Sequence, residues 1–226
     1  MTENYHKEFM KKIIIVLLFF IAGVTLVTAQ PFAEDIVAFK KQDSASFPPK
    51  NAILFIGSSS FTFWKDIPDY FPGYKIINRG FGGSSLGDVI RYEKEIIFPY
   101  KPKQVVIYCG ENDLAGSDTV TSVMVLNRFK ILFNNIRNRL PGVPIAYVSM
   151  KPSPSRQHLM FKMDFGNYLI KNFLAQKQKT KFIDVYHLML NADGTPMQDI
   201  FVEDKLHMNA KGYMIWKKAI HPYLIK

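Results

Sequence analysis

The chain has 226 residues, of which 48% are hydrophobic and 21% charged. These proportions suit one domain with a substantial core, leave too little chain for two full domains, and exclude a disordered chain. The formal net charge is +10, but the basic residues are dispersed, so that we expect no nucleic-acid binding, while attraction to anionic surfaces remains open. The single cysteine, Cys109, excludes an intrachain disulfide, and its apolar surroundings indicate a buried structural thiol.

The N-terminal segment has the pattern of an export signal. A lysine pair, Lys11-Lys12, precedes an apolar run over 13–24, and small residues follow at 27–29. We therefore predict a signal peptide over 1–29 and an exported, periplasmic or extracellular, protein. An uncleaved membrane anchor is the alternative, because the uncharged stretch is long enough to span a bilayer of about 20 residues. Membrane contact is expected only through this segment, if it is not cleaved.

The remaining chain alternates short apolar runs with helical patterns. A connecting segment over 30–50, interrupted by Pro48-Pro49, leads into the predicted domain at 51–226. Five runs that end in glycine or polar residues predict buried parallel strands, at 52–56, 75–77, 104–108, 144–148 and 181–183. Apolar residues at helical spacing predict helices over 84–97, 125–140, 163–174 and 213–220.

This alternation predicts an α/β fold. We expect a single three-layer α/β/α domain with a mostly parallel, five-stranded sheet of the flavodoxin-like kind. In such folds ligands bind beyond the carboxyl ends of the strands. The residues that follow each apolar run are therefore the candidates for a functional site.

Four polar stretches fall at those positions, over 57–60, 78–83, 110–113 and 204–209. Taken singly, each is ordinary turn or capping chemistry. Taken together, they contain every group that an acyl-transfer site needs.

The candidate groups have complementary roles. Ser59 is a candidate nucleophile, and His207 is a candidate base because its side chain titrates near neutral pH. Asp204, three residues earlier, is expected to orient the imidazole. The backbone N–H groups of Ser59 and Gly83 and the side-chain amide of Asn112 are expected to form an oxyanion hole. This chemistry requires no cofactor, and no histidine or cysteine cluster has the spacing of metal ligands.

The same four stretches resemble the sequence blocks of the SGNH hydrolase superfamily, also called GDSL-like lipases/acylhydrolases. The matching residues are Gly57-Ser58-Ser59 for Gly-Asp-Ser, Gly83 for the second-block glycine, Gly110-Glu111-Asn112-Asp113 for Gly-x-Asn-Asp, and Asp204 to His207 for Asp-x-x-His. The resemblance implies the SGNH fold, with Ser59 as nucleophile. Ser58 departs from the pattern, because the family has an aspartate there. An α/β-hydrolase is disfavoured because Phe61 replaces the last glycine of Gly-x-Ser-x-Gly.

The stretches at 61–64 and 78–83 resemble the branch akin to platelet-activating-factor acetylhydrolase subunits and lysophospholipase-like esterases. This similarity implies the fold and the mechanism of a serine esterase. The family resemblance and the predicted export together imply a small-molecule or glycan ester as substrate, with short-chain esters and O-acetyl groups on exported glycans as the expected classes. A lysophospholipase acting on membrane lipids and a non-catalytic binding protein are the alternatives.

Four further residues carry structural expectations. Trp64 either lines the substrate site or packs against the sheet, and Arg79 is expected to be a solvated loop residue unless it binds an anion. Asp113 is expected to stabilise the turn beside Asn112. Asn209 is expected to cap the last helix.

Overall fold

The computed structural model describes residues 30–226, so that the predicted signal peptide lies outside the described residues. Five parallel strands form one sheet in the order β2-β1-β3-β4-β5. Their bounds are β1 Ile53–Gly57, β2 Ile76–Gly80, β3 Gln104–Tyr108, β4 Ile145–Val148 and β5 Thr180–Ile183. The predicted fold class is confirmed. The bounds of each predicted strand differ from those of the observed strand by at most three residues.

Helices cover both faces of the sheet. The α-helices are α1 Ala33–Ala45, α2 Ser59–Thr62, α3 Ile67–Tyr70, α4 Leu86–Arg91, α5 Glu93–Ile96, α6 Glu111–Ala115, α7 Ser122–Arg139, α8 Met160–Ala175 and α9 Ala210–Ile220. Short 3-10 helices lie at Phe98–Tyr100, Pro154–Leu159, His187–Met189 and His221–Tyr223. In this part of the chain, no helix combines the length and apolar character needed to cross a bilayer.

The central strands are buried at every position because each of their faces meets a layer of helices. Successive side chains of β1 point to opposite faces, so that Leu54 and Ile56 join one core while Ile53 and Phe55 join the other. The first core includes residues of α4, α7 and α8, and the second includes residues of α2 and α9.

The connecting segment is more regular than expected. Residues 33–45 form helix α1, because no proline or glycine interrupts them before Ser46. Asp43 of this helix accepts hydrogen bonds from Arg79 and, at 2.6 Å, from the Tyr100 hydroxyl. The expectation of a solvated Arg79 is therefore wrong. Its side chain is buried and secures α1 to β2.

The helices after β2 also differ from the expectation of one long element. The predicted helix over 84–97 divides at Tyr92 into α4 and α5. The first turn of α4 has a capping box, in which Ser85 and Asp88 satisfy each other's backbone N–H groups. Asn209 caps α9 as predicted, since its side-chain oxygen accepts from the N–H groups of Lys211 and Gly212 at 2.9 and 3.3 Å.

Candidate active site

The polar stretches meet at the carboxyl edge of the sheet, beginning with the sharp turn after β1. Gly57 ends this strand with a φ of 132° and Ser59 opens α2 two residues later. A methyl group on Gly57 would lie 1.8 Å from the Tyr108 carbonyl oxygen. Glycine is therefore required here both for the backbone conformation and for the contact with β3. The turn presents Ser59 above the sheet.

Ser59, His207 and Asp204 form a continuous hydrogen-bonded chain. The Ser59 Oγ lies 3.0 Å from Nε2 of His207, and Nδ1 of the same ring lies 2.5 Å from Oδ2 of Asp204. Both contacts are hydrogen bonds, and the second is short for a nitrogen–oxygen pair. The serine and the histidine are 148 positions apart in the chain, so that the fold alone brings them together.

Backbone N–H groups of the loop that carries His207 fix the carboxylate of Asp204. The second carboxylate oxygen of Asp204, Oδ1, accepts from the backbone N–H groups of Leu206 and His207, each at 2.9 Å. Partial burial tends to raise the pKa of Asp204, but the hydrogen bonds from His207 and Leu206 outweigh it and lower this pKa to about 2. The carboxylate is therefore ionised at neutral pH and able to accept from Nδ1–H.

A small hairpin carries this loop. Phe201 pairs antiparallel with Met208, and the Val202 N–H donates to the His207 carbonyl at 2.8 Å. Lys205, at the tip, adopts a φ of 57°. The hairpin fixes the spacing of Asp204 and His207.

Asn112, one of the predicted oxyanion donors, contacts the residue that precedes the candidate nucleophile. The Asn112 side-chain amide donates to the Ser58 Oγ at 2.7 Å and to the Ser84 carbonyl at 3.1 Å. Gly83 has a φ of 83°, and a methyl group on Gly82 would lie 3.9 Å from the Ser59 Cβ. In the turn after β2, Gly82 therefore lies near Ser59 and places no side chain between the two backbones.

Ser58 has a defined place in this arrangement. Its side chain is buried, and its hydroxyl oxygen accepts one of the two hydrogens that the Asn112 amide nitrogen carries. The residue that departs from the family pattern therefore contacts the predicted oxyanion donor directly.

Two neighbouring expectations are resolved. Trp64 is fully buried and stacks on Tyr213 at a ring distance of 4.9 Å, so that it packs and does not line the site. Asp113 is also buried. It accepts from the Leu86 N–H at 2.8 Å and from Arg128 at 2.7 Å, and it thereby joins three elements instead of stabilising one turn. Burial raises the pKa of Asp113 despite these hydrogen bonds.

Sequence reasoning missed two features of the site. Phe63 is half-exposed, and its ring meets the His207 ring edge-on at 4.6 Å. Glu111 occupies the variable position of its sequence block, yet its carboxylate is buried against Lys151 and Arg156. Lys151, three residues after the end of β4, was the available signal, since a lysine is rarely buried unless it is paired.

The parallel sheet, with serine, histidine, aspartate and amide donors along one edge, defines an SGNH-type hydrolase. The model of the GDSL-like Lipase/Acylhydrolase family matches residues 56–215. The chain therefore belongs to the GDSL-like lipase/acylhydrolase family and is a hydrolase that acts on ester bonds. The comparison with curated proteins found no match.

Solved structures share the fold at low sequence identity. A protein from Streptococcus pneumonia, provisionally described as a platelet activating factor, superposes with a TM-score of 0.75 and 19% identity, over 85% of this chain and 92% of that one. A GDSL-like lipase from Bacteroides thetaiotaomicron gives 0.69 and 19%, over 83% and 95%. Axe2, an acetylxylan esterase from Geobacillus stearothermophilus, gives 0.62 and 16%, over 78% and 95%.

Proposed function

We propose that this chain is a serine esterase that cleaves carboxylic esters through an acyl-enzyme on Ser59. The observation that carries the proposal is the hydrogen-bonded chain itself, in which His207 Nε2 lies 3.0 Å from the Ser59 Oγ. Serine is a weak nucleophile until a neighbouring base takes its proton. An imidazole whose other nitrogen contacts an ionised carboxylate is suited to that step.

In the first half-reaction, His207 takes the Ser59 proton while the Ser59 Oγ attacks the ester carbonyl carbon. Negative charge develops on the carbonyl oxygen, where the N–H groups of Ser59 and Gly83 and the amide of Asn112 stabilise it. Asp204 stabilises the imidazolium, which then gives its proton to the leaving alcohol.

In the second half-reaction, water replaces the alcohol. His207 takes a proton from this water, whose oxygen attacks the acyl carbon of the acyl-enzyme. Collapse of the second tetrahedral intermediate releases the carboxylic acid and returns the proton to Ser59. None of these steps requires a cofactor.

For substrates, we propose short-chain esters, with O-acetyl groups on glycans as the leading class, cleaved outside the cytoplasm. The site is open, since the side chains of His207 and Asp204 are 23% and 48% exposed and Phe63 beside them is half-exposed. An open site at the sheet edge suits an ester that projects from a larger molecule. Axe2, which shares the fold, is an acetylxylan esterase, and the export signal predicted from the sequence supports the location.

The test combines covalent labelling with matched serine variants. A fluorophosphonate probe should label the wild-type protein and Ser60→Ala, but not Ser59→Ala, because Ser60 is the buried neighbour outside the hydrogen-bonded chain. Ser59→Ala should also lose p-nitrophenyl acetate hydrolysis. Equal labelling of Ser59→Ala would refute the nucleophile assignment, and an unlabelled wild-type protein would favour a binding protein.

A substrate comparison tests the second part of the proposal. Acetylated xylo-oligosaccharides and lysophosphatidylcholine should be offered at equal concentration, with acid release followed by pH-stat titration. We expect higher kcat/KM for the acetylated sugar. Preferential cleavage of the lysolipid would instead identify a lysophospholipase.

A further inference from the structure

A buried ionic cluster lies beside the Ser59–His207–Asp204 chain. The Glu111 carboxylate accepts hydrogen bonds from Lys151 Nζ at 3.2 and 3.3 Å, from Arg156 at 2.7 Å, and from the Tyr108 hydroxyl. The side chains of Lys151 and Glu111 are 2% and 6% exposed. We call Glu111, Lys151 and Arg156 the ionic cluster.

The members of the ionic cluster depend on one another. Burial tends to raise the pKa of Glu111, but the charges of Lys151 and Arg156 outweigh it, so that this pKa lies below its usual value. A buried charge that loses its partner is strongly destabilising, whereas the complete set is tolerated. The three charged groups therefore hold one mutual geometry.

On one side, the ionic cluster is continuous with the predicted oxyanion loop. Glu111 is the first residue of α6, and Asn112 directly follows it. Anchoring the Glu111 side chain fixes the first turn of this short helix, and with it the backbone that carries the Asn112 amide.

On the other side, the ionic cluster reaches the hairpin that carries His207. Ser155, next to Arg156 in the chain, donates to the Lys205 carbonyl from its backbone N–H at 3.2 Å and from its hydroxyl at 3.0 Å. Lys205 directly follows Asp204 in the chain and lies two residues before His207. The Lys151 ammonium also lies 5.8 Å from the centre of the Phe201 ring, at the base of the hairpin.

The segment that joins these contacts is stiff. Pro152 and Pro154 fix two of the backbone torsions between Lys151 and Arg156. Displacement of either charged group would therefore be transmitted to Ser155 and its two hydrogen bonds.

We infer that Glu111, Lys151 and Arg156 are positioning residues that hold the acid–base hairpin in register with the oxyanion loop. The inference rests on the proposed function, because it assigns these residues a role in that reaction. They touch neither the ester nor the reacting atoms; they act through Asn112 on one side and through Lys205 on the other.

A matched control is provided by the second buried acidic residue of α6, Asp113, and its arginine partner. Arg128 donates to the buried carboxylate of Asp113 at 2.7 Å, the same distance as between Arg156 and Glu111. Arg128 lies on α7 and has no hydrogen bond to the hairpin within residues 30–226. Arg156→Ala and Arg128→Ala therefore each leave one α6 carboxylate without its arginine, but only the first disturbs the link to His207.

The experiment compares the two variants by kinetics and by proton NMR well below their unfolding temperatures. For Arg156→Ala we expect kcat to fall roughly tenfold to a hundredfold with little change in KM, since small misplacements of catalytic groups have effects of this size. Arg156→Lys should recover most of this loss. Arg128→Ala should retain kcat within about threefold at a similar loss of thermal stability.

The NMR readout needs no turnover and so separates this inference from the proposed function. The low-field signal of the His207 Nδ1 proton should broaden or move in Arg156→Ala and stay in place in Arg128→Ala. Unchanged kcat and an unchanged signal in folded Arg156→Ala would overturn the inference even if Ser59 is the nucleophile. An inactive wild-type protein would overturn the proposed function instead.

A milder variant covers the case in which Arg156→Ala does not fold. Ser155→Ala removes one of the two hydrogen bonds to the Lys205 carbonyl from an exposed position. We expect kcat to fall about threefold to tenfold with the unfolding temperature nearly unchanged. Full activity in this variant would count against the hairpin contact on which the inference depends.

Discussion

Replacing Asp204 separates its two structural tasks, because each carboxylate oxygen has its own partners. Oδ2 contacts the His207 ring at Nδ1, while Oδ1 accepts from the backbone N–H groups of Leu206 and His207. In Asp204→Asn, the side-chain carbonyl oxygen should keep the backbone N–H groups of Leu206 and His207 as partners, because a flipped amide would point its own hydrogens at these two donors. The NH₂ group then donates to Nδ1.

This orientation places the imidazole proton on Nε2, which faces the Ser59 hydroxyl at 3.0 Å. The ring can no longer accept the serine proton. We expect kcat to fall by about 10³ to 10⁴, the range found when the same change traps the wrong tautomer in other triads. Asp204→Ala leaves the tautomer free and should be on the order of tenfold more active than Asp204→Asn.

Stability should follow the opposite order. Relative to Asp204→Asn, Asp204→Ala loses the two hydrogen bonds from the backbone N–H groups, of roughly 1 kcal/mol each in net value, reduced to about 1 kcal/mol in total because the side chain is half-exposed. For a chain of this size, the unfolding temperature should fall by roughly 2 to 4 °C. Asp204→Asn keeps both hydrogen bonds and should unfold near the wild-type temperature.

The assays are p-nitrophenyl acetate hydrolysis at pH 8 and thermal unfolding by circular dichroism. The wild-type carboxylate should also contribute stability that is complete above about pH 5 and is lost as the pH falls through the folded pKa of about 2. Asp204→Asn should lack this acid dependence. An Asp204→Asn variant that retains kcat within tenfold of wild type, or exceeds Asp204→Ala, would refute the reasoning about the tautomer.

Four further substitutions test three separate parts of the structure. Asn112→Ala should lower kcat by about 10² to 10³, the cost of one oxyanion donor. Ser58→Ala should change kcat less than about threefold, because it frees the amide hydrogen of Asn112 that the Ser58 hydroxyl accepts. Steady-state kinetics that reverse this order would contradict the assignment of Asn112 as a donor. Gly57→Ala should destabilise the fold by at least about 3 kcal/mol in urea unfolding, because its methyl group would overlap the Tyr108 carbonyl at a positive φ; a soluble variant with wild-type stability would show that the turn is not constrained. Ser153→Ala should be neutral or stabilising by up to about 1 kcal/mol, because the hydroxyl is buried without a hydrogen-bond partner in the described part of the chain; a loss above 1 kcal/mol in the same titration would reveal a partner.

Much of the fold could be predicted because strands buried on both faces are continuous apolar runs in the sequence. β1 and β3 were found within one residue for this reason. The helix α1 was missed because it buries only Ile36 and therefore has no marked apolar stripe. The long helix expected over 84–97 was divided by the break at Tyr92, which the apolar spacing does not reveal.

Candidate site residues could be predicted because their chemistry is visible at strand ends. Ser59, Asn112 and His207 lie together in the structure, although their catalytic roles stay predictions. Partners that meet only through the tertiary fold could not be predicted. Arg79 was taken for a loop residue because its partner, Asp43, precedes it by 36 positions, and nothing local to Glu111 indicates Lys151 and Arg156.

The separation of the nucleophile and the base along the chain has a consequence for biogenesis. Because the turn after β1 leads to Ser59 and the hairpin before α9 carries His207, a nascent chain of the proposed esterase should have no hydrolytic activity until almost all of it has emerged. Closing so long a loop of chain is entropically demanding. Recovery of ester cleavage during refolding should therefore mark one of the last events, the docking of the C-terminal hairpin onto an already assembled sheet.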